Sequence, residues 1–310
     1  MFIALLTAAA FIGIYVGLQR DPIPRNIPVA VIGDDLARQV SAALGDAVAV
    51  TTVSDIEAGR NLIAGRDAVA VLYRTSSTVL FLAVAGANGP STVGALEKLI
   101  GVYGRSSGSE VITTDVNPLT RYDSRGVVGF YVAFGVSLAS FILAQMLPTS
   151  TAFVHSRHRL VATVVFAAAV GLMASLLAGP ILGALPGSVV SLSITLALLS
   201  AATALATMAL GAVFGAMGVP IATLLLITVG NSTSGATVGA NLLPDVARLL
   251  SEMLPPGAAI SAITDVSYFG GAHRWAGWSV LIAWIVFASG LIVLKNRRLS
   301  VASTREHAAS

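Results

Sequence analysis

The chain has 310 residues, of which 55% are hydrophobic and 11% charged, and its mean hydropathy is +0.85. A water-soluble globular chain is excluded, because so large an apolar surplus has to face lipid. The net charge of +3 comes with no basic stripe carrying interleaved aromatic residues, so no nucleic-acid partner is expected; the lack of cysteine removes disulfide frameworks, thiolate nucleophiles and cysteine-based zinc sites.

In chain order, the first element is an uncharged apolar run, Met1 to Leu18. It has no basic residues ahead of it and stays apolar through Tyr15 and Val16, so an uncleaved membrane span is expected rather than a signal peptide. The composition then changes: 21 of the 33 charged residues lie between Arg20 and Arg125. There the pattern predicts strand (Ile27 to Ile32), helix (Asp34 to Leu44), strand (Ala47 to Val53), helix (Asp55 to Ala64), and strands at Ala68 to Tyr73 and Thr78 to Val84. A helix (Ser91 to Tyr103) and a last strand (Glu110 to Val116) complete a small α/β sheet. Asp34, Asp55 and Ser91 are the expected helix N-caps.

Five further uncharged runs follow, at Gly126 to Leu147, Leu160 to Leu182, Ser188 to Ala216, Val219 to Ala240 and Trp275 to Leu294. The expected architecture is a polytopic α-helical membrane protein with six transmembrane helices and an extracytoplasmic α/β domain inserted between helices 1 and 2. By residue, that is a first helix at 1–19, the α/β domain at 20–125, five helices over 126–296 with an external interfacial segment at 241–274, and a cytoplasmic polar tail at 297–310. Orientation comes from the basic clusters His155, Arg157, His158 and Arg159, and Lys295, Arg297 and Arg298. Basic residues near membrane ends stay cytoplasmic, so both termini are expected there and the sheet domain outside.

Chemistry-bearing patterns are sparse. Gly104-Arg105-Ser106-Ser107-Gly108 fits G-x-S-x-G, but it leaves a helix for a strand, the reverse of a nucleophile elbow, and no histidine lies in the domain; it reads as a loop. Asp34 and Asp35 read as a helix N-terminus rather than a metal site, and the four histidines have no metal-ligand company. No catalytic residue, metal ligand or cofactor is assigned, and no P-loop occurs, so the chain is not expected to be an enzyme. The six spans hold no Asp, Glu, Lys, Arg or His, which leaves a proton antiporter little to work with.

The fifth run is unusual. Asn231, Ser232, Thr233, Ser234 and Thr237, with Gly230 and Gly235 among them, form a polar, glycine-rich stretch that reads equally as a broken helix on a translocation path or as a packing seam with Gly235 and Gly239 as a small-xxx-small pair. Gly211 and Gly215 read as packing. Beyond, Leu242 to Leu254 is amphipathic, with Asp245, Arg248 and Glu252 at helical spacing and Arg248 able to pair with either acid. It is a candidate external lid or a membrane-surface connector, stopped by Pro255 and Pro256.

Three stretches carry a resemblance to a known family. They are Asp55 to Leu72, with its amphipathic helix leading into a strand; Asp115-Val116-Asn117-Pro118-Leu119 followed by Asp123-Ser124-Arg125-Gly126; and Leu254-Pro255-Pro256-Gly257-Ala258 leading to Val266-Ser267-Tyr268-Phe269-Gly270-Gly271. With the span order they make the chain similar to ABC-2-type permeases, YhgE/Pip-like branch. The resemblance implies a homodimeric exporter-like permease in the bacterial plasma membrane, energised by a separate cytoplasmic ATPase, with His155, Arg157, His158 and Arg159 as the candidate coupling loop. It departs from the family's acidic E-R-E-like coupling helix, since positions 148–159 contain no Asp or Glu. An uncharged interior suits an apolar or amphipathic substrate. The alternative function is a non-transporting receptor or scaffold whose external domain binds a partner.

Overall fold

The computed structural model describes residues 2–147 and 156–309, with side chains over 5–147 and 158–295. Helix α1 (Phe2–Arg20) leads into a five-stranded sheet built from β1 (Ile27–Ile32), α2 (Asp34–Leu44), β2 (Val48–Val53), α3 (Ile56–Ala64), β3 (Ala70–Ser76), β4 (Val79–Val84), α4 (Pro90–Ser106) and β5 (Glu110–Asp115). The strand order is β2-β1-β3-β4-β5; every neighbouring pair is parallel except β3 with β4. Interior strand β1 is buried on both faces, whereas edge strand β5 is largely exposed.

Helices α2 and α4 cover one face, where Leu36, Val40, Leu96 and Ile100 meet Leu72, Leu80 and Leu82. Helix α3 covers the other, with Ile63 against Ala30 and Val71. The expected elements are all present, with shifted ends. β3 runs on through Arg74, Thr75 and Ser76 because pairing with β4 across an irregular hairpin supplies backbone partners to polar residues. Of the three expected caps, only Asp55 accepts a backbone N–H, from Ala58 at 2.8 Å. Gly33 and Gly89 occupy the other two cap positions; Asp34 falls in the first turn of α2, and Pro90 opens α4.

The remaining chain is helical: α5 (Val128–Met146), α6 (Ser156–Leu176) ending in a π-helical turn at Leu177–Ile181, α7 (Val189–Phe214), α8 (Gly218–Ala222), a second π-helical stretch (Thr223–Val229), α9 (Gly230–Ser232), α10 (Asp245–Met253), α11 (Pro255–Tyr268) and α12 (Arg274–Ala309). Four helical stretches are long and apolar enough to cross a membrane: Val128–Met146, His158–Ile181, Val189–Ser232 and Arg274–Lys295, with a shorter apolar helix at Leu5–Arg20. The 44-residue third stretch reverses in its middle. Gly215 takes φ +58°, and a side chain on Gly218 would collide with the backbone of Gly211, so α8 folds back on the end of α7. The glycines expected to act as pairs are thus used differently. Gly211 packs against Gly218 rather than Gly215, and Gly235 and Gly239 both have positive φ and lie outside any helix.

Helix α7 is the hub, with α5, α6, α11 and α12 around it. The bundle's outer surface is apolar, with Val165 62% and Val286 65% exposed, while Ser140 and Ser200 share a 2.7 Å hydrogen bond in its interior. This inside-out pattern defines a multi-pass helical membrane protein.

Candidate functional site

The sheet domain is fastened to one end of the bundle. Arg25 N–H donates to the Asn241 carbonyl (2.8 Å), Ser91 Oγ to that of Thr237 (3.2 Å), Asn117 Nδ2 to that of Tyr268 (3.1 Å) and Thr120 Oγ1 to that of Ala184 (2.6 Å). Leu242, Leu243 and Ala247 insert into the sheet domain's own hydrophobic core. The connections after α6, after α9 and before α12 therefore all meet the sheet domain, and the Gly215–Met217 turn lies at the opposite end.

Helix α11 is the element that sequence patterning left unassigned. The paired prolines close α10 and at once open α11, whose first turn needs no N–H groups there. Its Ala- and Gly-rich surface is almost wholly buried, and Gly277 of α12 lies so close that a side chain there would meet the Ala258 carbonyl at 2.5 Å. Trp284 Nε1 donates to the Met253 carbonyl at 2.8 Å. Trp284 is ten residues into α12, so the α10–α11 corner lies about 15 Å along that helix from its start. The segment expected to be interfacial forms a helical hairpin, α10 and α11, with α11 packed alongside α12.

Between this hairpin, the sheet domain and the start of α5 lies a cavity of about 530 Å³. Arg66, Asn88 and Thr92 line it from the sheet domain, Phe130 from α5, Ile260 and Ile263 from α11, and Val280 from α12, with Leu119, Asp123 and Leu185 between. Of the sequence-derived candidates it brings together only Ser234, at the end of the polar run, and Glu252 of α10.

The other candidates lie elsewhere. Asn231, Ser232 and Thr233 are buried, and each bonds back onto its own helix: Asn231 Nδ2 to the carbonyls of Leu226 (3.2 Å) and Ile227 (3.0 Å), Ser232 Oγ and Thr233 Oγ1 to that of Val229 (3.0 and 2.9 Å). Ser234 Oγ does the same to the Asn231 carbonyl at 2.7 Å. The π-helical stretch just before them offsets the backbone ladder, and these side chains take up its carbonyls. Thr237 contributes its carbonyl to Ser91. Asp245 and Arg248 form a 3.1 Å surface pair, worth little by itself. His155 lies outside the described residues, as does the side chain of Arg157; His158 and Arg159 open α6 at the end of the bundle away from the sheet domain.

Two charged residues that sequence patterning did not select line the cavity, Asp123 and Arg66, and Asp265 and His273 interact beside them. Asp123 Oδ1 accepts N–H bonds from Val127 (2.9 Å) and Val128 (3.0 Å), capping α5. Burial pushes its carboxyl above the ordinary value, opposed by those N–H groups and the Tyr268 hydroxyl. Arg66 Nη1 donates to Ser261 O and Oγ at 2.8 and 3.2 Å, and its guanidinium lies 5.6 Å from the centre of the Phe269 ring. Burial lowers its pKa, opposed by the attraction of Asp265.

Asp265 Oδ2 accepts the His273 N–H at 2.9 Å while Oδ1 is buried without a partner, and burial raises its pKa against the pull of Arg66 and His273. His273 Nε2 also reaches Asp67 at 3.3 Å. One signal for this cluster exists in the sequence: Asp265 is the lone acid in a run of small and apolar residues from Leu254 to Gly271.

Fold and site together define a multi-pass helical membrane protein with an α/β sheet domain docked over a junctional cavity. No protein-family model matches the chain, and neither the curated proteins nor the solved structures yield a significant match.

Proposed function

We propose that the chain is a permease subunit of the ABC-2 type that moves an apolar or amphipathic substrate across a bacterial plasma membrane, working as a homodimer with a separate cytoplasmic ATPase. The observation that carries this reading is the junctional cavity, which is lined by Arg66, Asn88 and Thr92 of the sheet domain together with Phe130, Ile260, Ile263 and Val280 of α5, α11 and α12, and is bordered by the end of the polar run. Six crossings follow if α1 and both legs of the Val189–Ser232 hairpin each span the bilayer. The basic residues of α6 and Lys295 lie at the end of the bundle remote from the sheet domain, which supports a cytoplasmic assignment for that end and for both termini.

A receptor or scaffold is the second reading, favoured by the lack of any acidic residue at 148–159 to grip an ATPase. Affinity purification of the tagged chain in mild detergent, followed by mass spectrometry, separates the two. Stoichiometric recovery of a P-loop ATPase is the expected result; repeated recovery of only the chain itself, or of an external protein, overturns the ATP-driven permease.

A further inference from the structure

We infer that Arg66 and Asn88 are the headgroup end of the junctional cavity, and that its ligand is an amphiphile with an anionic headgroup, a carboxylate or a phosphate monoester. This rests on the cavity being the substrate site and adds which end of the substrate goes where. The cavity lining joins groups of two kinds. Phe130, Leu185, Ile263 and Val280 offer an apolar wall continuous with the membrane helices, and Arg66, Asn88 and Thr92 come from the sheet domain.

The headgroup end carries donors that have no partner within the described protein. Arg66 is the sole cation among the lining residues described, and only its Nη1 is used, on Ser261, which leaves Nη2 and Nε without hydrogen-bond partners. The Nδ2 of Asn88 is buried with no partner. The buried Asn88 Nδ2 left unpaired is costly, and an oxyanion between the two residues would supply acceptors to it and to the free N–H groups of the partly exposed Arg66.

The nearby acids do not reverse this polarity. Asp123 is engaged by the first N–H groups of α5. Glu252 is on the exposed rim. Asp265 makes no ion pair or hydrogen bond with Arg66 among the described residues, so the free N–H groups of Arg66 stay unoccupied.

The test is equilibrium dialysis of three probes, dodecyl phosphate, dodecanol and dodecyltrimethylammonium, against the full chain in zwitterionic lipid nanodiscs, with empty nanodiscs subtracted. Dodecyl phosphate should bind the wild type roughly ten- to hundredfold more tightly than dodecanol. Arg66→Gln should bring it down to the level of dodecanol while leaving dodecanol unchanged.

Asn88→Asp, which makes no change to the Arg66–Ser261 tie, should weaken dodecyl phosphate and spare dodecanol, and so carries the test if Arg66→Gln does not fold. Ala258→Phe, which fills the cavity, should abolish binding of every probe. Equal effects of Arg66→Gln on phosphate and alcohol, tightest binding of the ammonium, or no binding by any probe would each overturn the headgroup assignment. Binding that survives Ala258→Phe would instead remove the cavity as the substrate site.

Discussion

The sheet domain and the helix bundle hide their polar groups by opposite rules. In the sheet domain Ile27, Leu72, Leu80, Leu82, Leu96 and Ile100 are fully buried, and most of the charged residues ring the outside. In the bundle large apolar side chains such as Val164, Val165, Ile181 and Phe287 face outward, while Ser140, Ser200 and Thr203 are wholly enclosed. Burying a large apolar side chain stabilises a fold only where the alternative is water. The same side chain therefore does different things in the two halves, and substitutions should reveal which medium each half sees.

The all-or-none contrast is sidedness. The chain has no cysteine, so single cysteines report cleanly. Ser77→Cys, in the exposed turn between β3 and β4, should react with a membrane-impermeant maleimide on intact cells, and Ala216→Cys at the α7–α8 turn only after permeabilisation. Labelling of both from outside would break the proposed topology. Next in size, Leu82→Ala should cost about 2–5 kcal/mol by chemical unfolding of the sheet domain, against less than about 0.5 kcal/mol for Val165→Ala on the bundle surface. Similar losses would mean that the bundle surface is not in lipid.

Within the bundle, Gly218→Ala should cost about 1–3 kcal/mol, because its methyl group meets the backbone of Gly211. Gly211→Ala, with open space at its own Cβ, should leave the melting temperature nearly unchanged. Equal shifts would show that α8 does not fold back on α7.

The smallest effect is a slope. Burial holds the Asp265 carboxyl above its ordinary value, so the folded protein keeps that proton more tightly than the unfolded chain. Stability is then greatest below the ordinary carboxylate range and falls as pH rises through the folded value. Asp265→Asn should flatten the loss of melting temperature over that interval, and an unchanged slope would argue that Asp265 is ionised at no cost.

Most of the sheet domain was legible because short β-branched runs alternating with amphipathic helices leave one reading. Strand ends were misjudged where cross-strand pairing carried polar residues along, as at Arg74 to Ser76. Helix α11 was not legible, since Leu254 to Gly271 is neither long enough to span a bilayer nor amphipathic, and its two prolines signal a stop as readily as a start. The polar run after Val229 was visible, but its use was not. Only the π-helical geometry before it shows that Asn231, Ser232 and Thr233 spend their side chains on their own backbone.

Local composition and periodicity by themselves determined the two media, the sheet domain and the apolar runs, because transfer between water and lipid acts residue by residue. Tertiary structure alone decided that α7 reverses at Gly215, that α10 and α11 form a hairpin beside α12, and that Arg66, Asn88, Asp123 and Ser261 line one cavity. Those four residues span roughly 200 positions of sequence. No local pattern records a meeting at that separation, since it depends on how the loops after α9 and α11 close onto the sheet domain.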